Sequence, residues 1–236
     1  MESGESVLEK QIKSKKRVAD HGEVFTAERE VKAMCDLVKH ETERIDSRFL
    51  EPACGDGNFL SEILNRKLQC PQIKKYKKSP YDWERYSLLA LGSLYGVDIL
   101  FDNVLVCRER LFDIWEKEYK KVCKKAVNDD TRLAAKFILK RNIVCGDALN
   151  YHCVSENGEK TDRPIVFSEW SFPRNDAFIR RKDYSFDNLV NGEKKKKVPK
   201  VDGQIGLFDE EERQEDESVF IREYISNYRR LGDSEE

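Results

Sequence analysis

Arg48-Phe-Leu-Glu-Pro-Ala-Cys-Gly-Asp-Gly-Asn-Phe-Leu60 is the stretch on which the reading of this chain turns. A short apolar run ends in a carboxylate at Glu51, glycines follow at Gly55 and Gly57, and Asn58, Phe59, Leu60, Ile63 and Leu64 then fall into a helical pattern. That order predicts a strand, a tight turn and a helix. Glycines suit such a turn because a side chain would hold the backbone away from a bound nucleotide-like ligand, and Glu51 just before it can accept hydrogen bonds. The third glycine of the dinucleotide fingerprint is missing, so the spacing by itself also fits an ordinary strand-turn-helix.

The segments on either side carry the same kind of pattern. Upstream, Gly22-Glu-Val-Phe-Thr26 precedes a run with Val31, Met34, Leu37 and Val38 on one face, which predicts a helix from about Ala27 to Glu41 capped by Thr26. Downstream, Gln69 to Pro80 is a basic insert in which Lys74, Lys75, Lys77 and Lys78 surround Tyr76. That composition suits a phosphate backbone or a solvated loop. Trp83, Tyr86, Leu89, Ala90 and Leu94 predict a core-facing helix over 81–94, and Leu94-Tyr-Gly-Val-Asp-Ile99 a buried strand ending in an acid. In many nucleoside-binding sheets an acid at that place accepts both ribose hydroxyls, which makes Asp98 the candidate, with Ile99 against the adenine. Val104, Leu111, Trp115, Tyr119 and Val122 predict a long helix over 102–123. A further helix over 130–140 leads into Asn142-Ile-Val-Cys-Gly-Asp-Ala-Leu149, a third strand ending in an acid.

Together these segments resemble the adenine-N6 DNA methyltransferases, which use S-adenosylmethionine (SAM). Leu50-Glu-Pro-Ala-Cys-Gly-Asp-Gly-Asn-Phe-Leu60 is similar to their SAM loop, which implies cofactor contacts for Glu51, Pro52, Ala53, Gly55 and Gly57. Phe25 and Thr26 match the residues that touch the methionine end of the cofactor in that family, although Ala27 stands where the family usually has proline. Asp98 and Ile99 fall at the ribose and adenine positions. Asp147 and Ala148 match the place where an aspartate bonds the exocyclic amine of the SAM adenine. The resemblance covers roughly residues 19–149. It implies a three-layer, Rossmann-like α/β domain with a mainly parallel sheet, in a bacterial restriction-modification or phage-defence system acting on DNA.

The target-base motif of that family is altered here. Its members place Asn or Asp, two prolines and an aromatic at the end of the fourth strand, where the first residue accepts the target amine and the aromatic stacks on the flipped base. In this chain Pro164-Ile-Val-Phe-Ser168 runs into Glu169-Trp-Ser-Phe172, leaving Glu169 as acceptor and Phe172 as the aromatic. Without prolines the turn is less rigid, and an acceptor displaced by about 1 Å can lose on the order of a hundredfold in rate. Two readings stay open: catalysis in another geometry, or a non-catalytic SAM-binding or DNA-positioning subunit that needs a partner chain. No run of three further strands is legible after Phe172, so the C-terminal strands of the family fold are expected to be missing or compressed.

The 236 residues divide into a polar basic arm (1–17), a main domain (18–190), a charged linker (191–217) and a C-terminal amphipathic helix and tail (218–236). Phe220, Ile221, Tyr224, Ile225 and Tyr228 carry that last helix. Within the linker, Gln204-Ile-Gly-Leu-Phe208 is similar to the peptides that bind bacterial sliding clamps, which implies a clamp as a partner. With 43 basic and 45 acidic residues the formal charge is -2, so any grip on DNA must come from a local patch or a partner. Seven cysteines without a Cys-x-x-Cys pair and three unclustered histidines argue for reduced thiols and against a metal site. No apolar run reaches membrane-spanning length and the polar N-terminus does not resemble a secretion signal, so a cytoplasmic location is expected.

Overall fold

The structure is a computed structural model that describes residues 14–21, 24, 26–191 and 220–233. Three parallel strands organise it: β1 (Phe49–Glu51), β2 (Leu94–Asp98) and β3 (Ile143–Asp147), side by side in that order. Between β1 and β2 run α4 (Asn58–Gln69), the short α5 (Pro71–Lys74), a 3-10 turn (Lys75–Lys78) and α6 (Pro80–Gly92). Between β2 and β3 run α7 (Phe101–Cys123) and α8 (Asp129–Asn142). The chain is therefore of the α/β class, and no helix among the described residues is long and apolar enough to cross a membrane.

Local chemistry sets these boundaries. Ser79 caps α6 by accepting from Asp82 N at 3.2 Å with Pro80 in the first helical position, and Asn128 caps α8 by accepting from Thr131 N at 2.8 Å. Upstream, α1 (Lys15–His21), α2 (Glu28–Leu37) and α3 (Lys39–Thr42) precede the sheet. The expected single helix over 27–41 is thus split at Val38, and its N-cap is Ala27, with no side-chain cap from Thr26. Residues 15–17, expected in the polar arm, belong to α1, where Arg17 donates to Asp102 at 2.6 Å and to Asn103 at 3.1 Å.

Side-chain alternation along the strands makes two faces. Leu94, Ile143 and Cys145 join Trp83, Leu111, Trp115 and Ile138 in the larger core under the helices. Tyr95 and Val97 point the other way, against Ile165, Phe167 and Phe186, with Val144 packed beside them. In the basic insert, Tyr76 stacks on Tyr86 with ring centroids 3.7 Å apart, so its face is already covered within the protein.

The sheet is less parallel than expected. After β3 a tight turn, with Tyr151 N donating to Asp147 O at 2.9 Å, reverses the chain into β4 (His152–Val154) and then β5 (Lys160–Pro164), both paired antiparallel. A reversal of this kind needs no crossover helix. The segment expected as a fourth parallel strand becomes β6 (Val166–Ser171) of a separate antiparallel sheet with β7 (Phe178–Ser185) and β8 (Phe220–Asn227). The short α9 (Phe186–Asn191) follows β7.

The expected C-terminal helix over 218–231 is corrected accordingly. It is β8 followed by a 3-10 turn (Tyr228–Asp233) that packs on α8. The apolar residues of that run are β-branched or aromatic, and pairing along β7 decides their conformation. Gln204–Phe208 and the rest of 192–219 lie outside the described residues, as do 1–13 and 234–236.

Hydrogen bonds made by buried side chains join the second sheet to the first. Asn142, fully buried at the end of α8, donates from Nδ2 to Gly92 O and Ser168 O and accepts at Oδ1 from Ser168 N, each at 3.0 Å. Glu84, also fully buried, accepts from Tyr119, Asn128, Tyr228 and Arg229, which fixes the C-terminal turn to α6 and α7. Asn142→Ala removes the side-chain partner of the Ser168 amide and of the Gly92 carbonyl in a buried site, and leaves the Ser168 carbonyl with the Tyr95 hydroxyl at 3.3 Å. It is expected to cost about 3 kcal/mol in urea unfolding, since each buried group left unmade costs roughly 1 to 3 kcal/mol; a loss below about 1 kcal/mol would contradict this role.

Candidate functional site

The carboxyl ends of β1, β2 and β3 open onto a cavity of about 530 Å³. Ligands of open α/β sheets gather at this end of the strands, and the volume lies in the range of small-molecule sites. Of the residues singled out in the sequence, Thr26, Glu51, Pro52, Ala53, Gly55, Asp98, Ile99, Asp147 and Ala148 all line this cavity. They come from four separate stretches of chain. Gly57 does not line it, and Phe25 lies outside the described residues.

The loop after β1 owes its shape to its glycines. Gly55 and Gly57 have φ of +53° and +90°, in the left-handed region, and a Cβ on Gly57 would sit 2.7 Å from Cys107 Sγ. Gly57 therefore serves the close approach of α4 to α7 rather than the cavity wall. Cys54 N donates to Val97 O at 2.8 Å, which stitches the loop to β2.

Asp98 is the hub of the site. Its Oδ2 accepts from Gly55 N at 2.9 Å, and its Oδ1 from Leu100 N at 2.8 Å and Asn103 Nδ2 at 3.3 Å. A carboxylate offers about four acceptor positions, so roughly one remains for a ligand. Glu51 lines the same cavity and accepts from Ala53 N only at a long 3.4 Å, which leaves most of its acceptor capacity free. Burial pushes its carboxyl above the usual range, with the Ala53 amide pulling weakly the other way. Asp147 accepts from Leu149 N at 2.9 Å and Asn150 Nδ2 at 3.0 Å, and also keeps free positions.

The approach from α2 is pinned to the loop. Asn58 donates from Nδ2 to Thr26 O at 3.3 Å and accepts at Oδ1 from Arg110 at 2.6 Å, and Arg110 also pairs with Asp56 at 3.4 Å. Asn58, Phe59, Leu100, Asn103 and Leu149 also line the cavity, although the sequence did not single them out as site residues. Asn103 carried a usable signal, being a polar residue in the first turn of a helix directly after the strand-end acid.

Glu169 and Phe172 sit elsewhere. Glu169, on β6, forms an ion pair with Arg48 at 2.8 Å, while Phe172 meets Tyr228 edge-on and lies 4.7 Å under the Arg85 guanidinium. Neither lines the cavity. The described lining holds three carboxylates and no Lys, Arg or His, and the amide of Gly55 faces Asp98. Such a site disfavours pyrophosphate and suits a ligand with positive charge, hydroxyl donors and an apolar ring. No group of three metal-ligating side chains occurs among the described residues.

The half-buried carboxyl of Glu51 has a consequence for stability. As pH rises, the unfolded chain releases this proton before the folded one does, so folding carries a penalty that persists at neutral pH. Glu51→Gln is therefore expected to raise the thermal midpoint at pH 7, with the gain vanishing toward about pH 4 as both states become protonated. Calorimetric melts across that range check it, and an unchanged or lower midpoint at pH 7 would contradict it.

No protein-family model, curated protein or solved structure matches this chain, and its site is accordingly read from its own residues.

Proposed function

We propose that this chain is the SAM-binding component of an adenine-N6 DNA methyltransferase-like system, with a Rossmann-like core formed by β1–β3 and their helices. The observation that carries the reading is the convergence of three strand ends on a cavity whose described lining holds three carboxylates and no basic side chain. SAM brings a sulfonium and an ammonium, two ribose hydroxyls and an adenine amine, all of them suited to carboxylate acceptors. Asp98 accepts one hydroxyl at its remaining position, and Glu51 provides acceptors for the other or for the ammonium. Asp147 accepts the adenine amine, while Ile99 and Ala148 offer apolar contact to the ring. SAM when bound supplies an electrophilic methyl carbon. The chain's own task is to orient that group and exclude water, since direct displacement needs no covalent nucleophile from the protein.

A specific observation favours the partner-dependent form of this reading. Glu169 and Phe172 lie outside the cavity, and Glu169 is engaged by Arg48. The acceptor for the target amine then comes from a partner chain, and this chain contributes the cofactor half.

Titration calorimetry with SAM tests the first part. Binding is expected, with Asp98→Ala weakening it by roughly 1 to 3 kcal/mol, as for loss of a buried hydrogen-bond partner. Absence of heat at millimolar SAM with the unmutated chain would defeat the proposal. The second part is tested with methyl-labelled SAM and duplex DNA. The isolated chain is expected to transfer no label above background, and Glu169→Ala to leave SAM affinity unchanged. Efficient transfer by the chain alone, abolished by Glu169→Ala, would defeat the partner-dependent reading while leaving SAM binding standing.

A further inference from the structure

A second concavity, of about 450 Å³, lies where the two sheets meet the end of α8. Its walls carry five cations: Lys140 and Arg141 from α8, Arg163 from β5, Arg181 from β7 and Arg222 from β8. Against them stands one carboxylate in the lining, Asp183, which is buried and already engaged. It accepts from Ser168 Oγ at 2.6 Å, from Arg181 at 2.9 and 2.7 Å, and from Arg141 at 3.3 Å. Arg181 also lies 4.2 Å over the Tyr224 ring. Two guanidiniums are thus fixed in the floor, and three exposed cations stand around them.

From this arrangement we infer that the groove is a docking site for the phosphodiester backbone of duplex DNA. A chain with nearly balanced charge does not place five cations against one neutralised acid by its average composition. The exposed Arg163 and Arg222 carry planar forks that bind phosphate oxygens in pairs, while Arg141 and the buried Arg181, both bonded to Asp183, add positive charge to a floor that is fixed before any ligand arrives. Cations from three strands and a helix come together only in the folded chain, which distinguishes them from the lysines clustered in sequence around Tyr76. The groove and the proposed cofactor cavity also share one strand. On β3, Val144 borders the groove, and Gly146 and Asp147 border the cavity. The choice of DNA over another polyanion rests on the methyltransferase reading, whereas the cationic groove does not.

The test is fluorescence anisotropy of a labelled duplex with the full chain over a range of salt concentrations. Three chains are compared: the unmutated one, Lys140→Gln with Arg163→Gln and Arg222→Gln, and Lys74→Gln with Lys75→Gln and Lys78→Gln. All six side chains are exposed, and circular dichroism verifies the fold of each protein. The groove variant is expected to lose at least about tenfold in affinity, and its slope of log affinity against log salt to fall by about 2 to 3, as for loss of three phosphate contacts. The lysine-run variant is expected to stay within about twofold, because it removes the same three positive charges but leaves the groove's phosphate contacts in place. Equal loss in both variants, no loss in the groove variant, or no duplex binding by the unmutated chain would overturn the inference. Displacement of the duplex by polyglutamate at equal charge would reassign the groove to an acidic protein surface. SAM titration of the same proteins keeps the questions apart. A chain that binds DNA through the groove but not SAM defeats the cofactor reading alone, and one that binds SAM with an indifferent groove defeats this inference alone.

Discussion

The carboxylate of Asp98 holds the site together. It sits at the end of β2, bonds the amide of Gly55 in the loop after β1, and bonds Leu100 N and Asn103 at the start of α7. That helix is 23 residues long and has no side-chain cap from its N-cap residue, Leu100. The free amides and the positive end of the helix dipole both favour an anion there, and Asp98 supplies one from within the chain. One side chain thus fixes the glycine loop, a strand end and a helix start relative to one another. The acceptor position left over is aimed by three bonds the protein makes before any ligand is present, which is what preorganisation requires.

A different kind of constraint places the second sheet. β6 joins no strand of the first sheet; Asn142 holds it by bonding both the amide and the carbonyl of Ser168, and Tyr95 of β2 bonds the same carbonyl and packs on Phe167. Nearby, Asp183 collects Ser168, Arg181 and Arg141, and on the other side Glu84 gathers four donors around Tyr228. Apolar packing tolerates small slips, whereas a buried polar group with every partner in place does not. The geometry of the cationic groove follows from this, because its floor consists of guanidiniums held by Asp183.

The parts of the fold that were legible in the sequence are those specified locally. Short apolar runs ending in Glu51, Asp98 and Asp147, separated by helical periodicity, marked three strand ends in the right order, and the glycines at 55 and 57 marked a turn that needs positive φ. The misreadings fall where distant partners decide. The residues at 164–168 form a strand, but nothing in their composition says that they pair with 178–185 rather than with 49–51. Phe220, Ile221, Tyr224, Ile225 and Tyr228 have helical spacing, yet pairing along β7 makes most of that run a strand. Tyr76 among its lysines looked available to a nucleic acid, and only the fold brings Tyr86 against it. The basic groove was invisible for the same reason: its cations are scattered over 83 positions of a chain whose overall charge is close to zero.

That near-zero balance conceals a separation of charge with consequences for the proposed chemistry. The cavity at the strand ends is lined by carboxylates and the groove by guanidiniums, and β3 borders both. A polyanion drawn to the groove is repelled from the cavity, so in the proposed reading the duplex itself stays outside while the cofactor occupies the acidic pocket. A target base would have to leave the helix stack to approach the methyl group, as base-modifying enzymes generally require. The two residues matched to the family's target-base positions lie away from the cavity: Glu169 is paired with Arg48, and Phe172 is packed between Tyr228 and Arg85. The Arg48–Glu169 pair is exposed and worth only about 0 to 1 kcal/mol, so it is the distance of both residues from the cavity lining, not the cost of releasing them, that matters in the proposed reading. A partner that brings its own acceptor to the mouth of the cavity would supply there what these two residues do not.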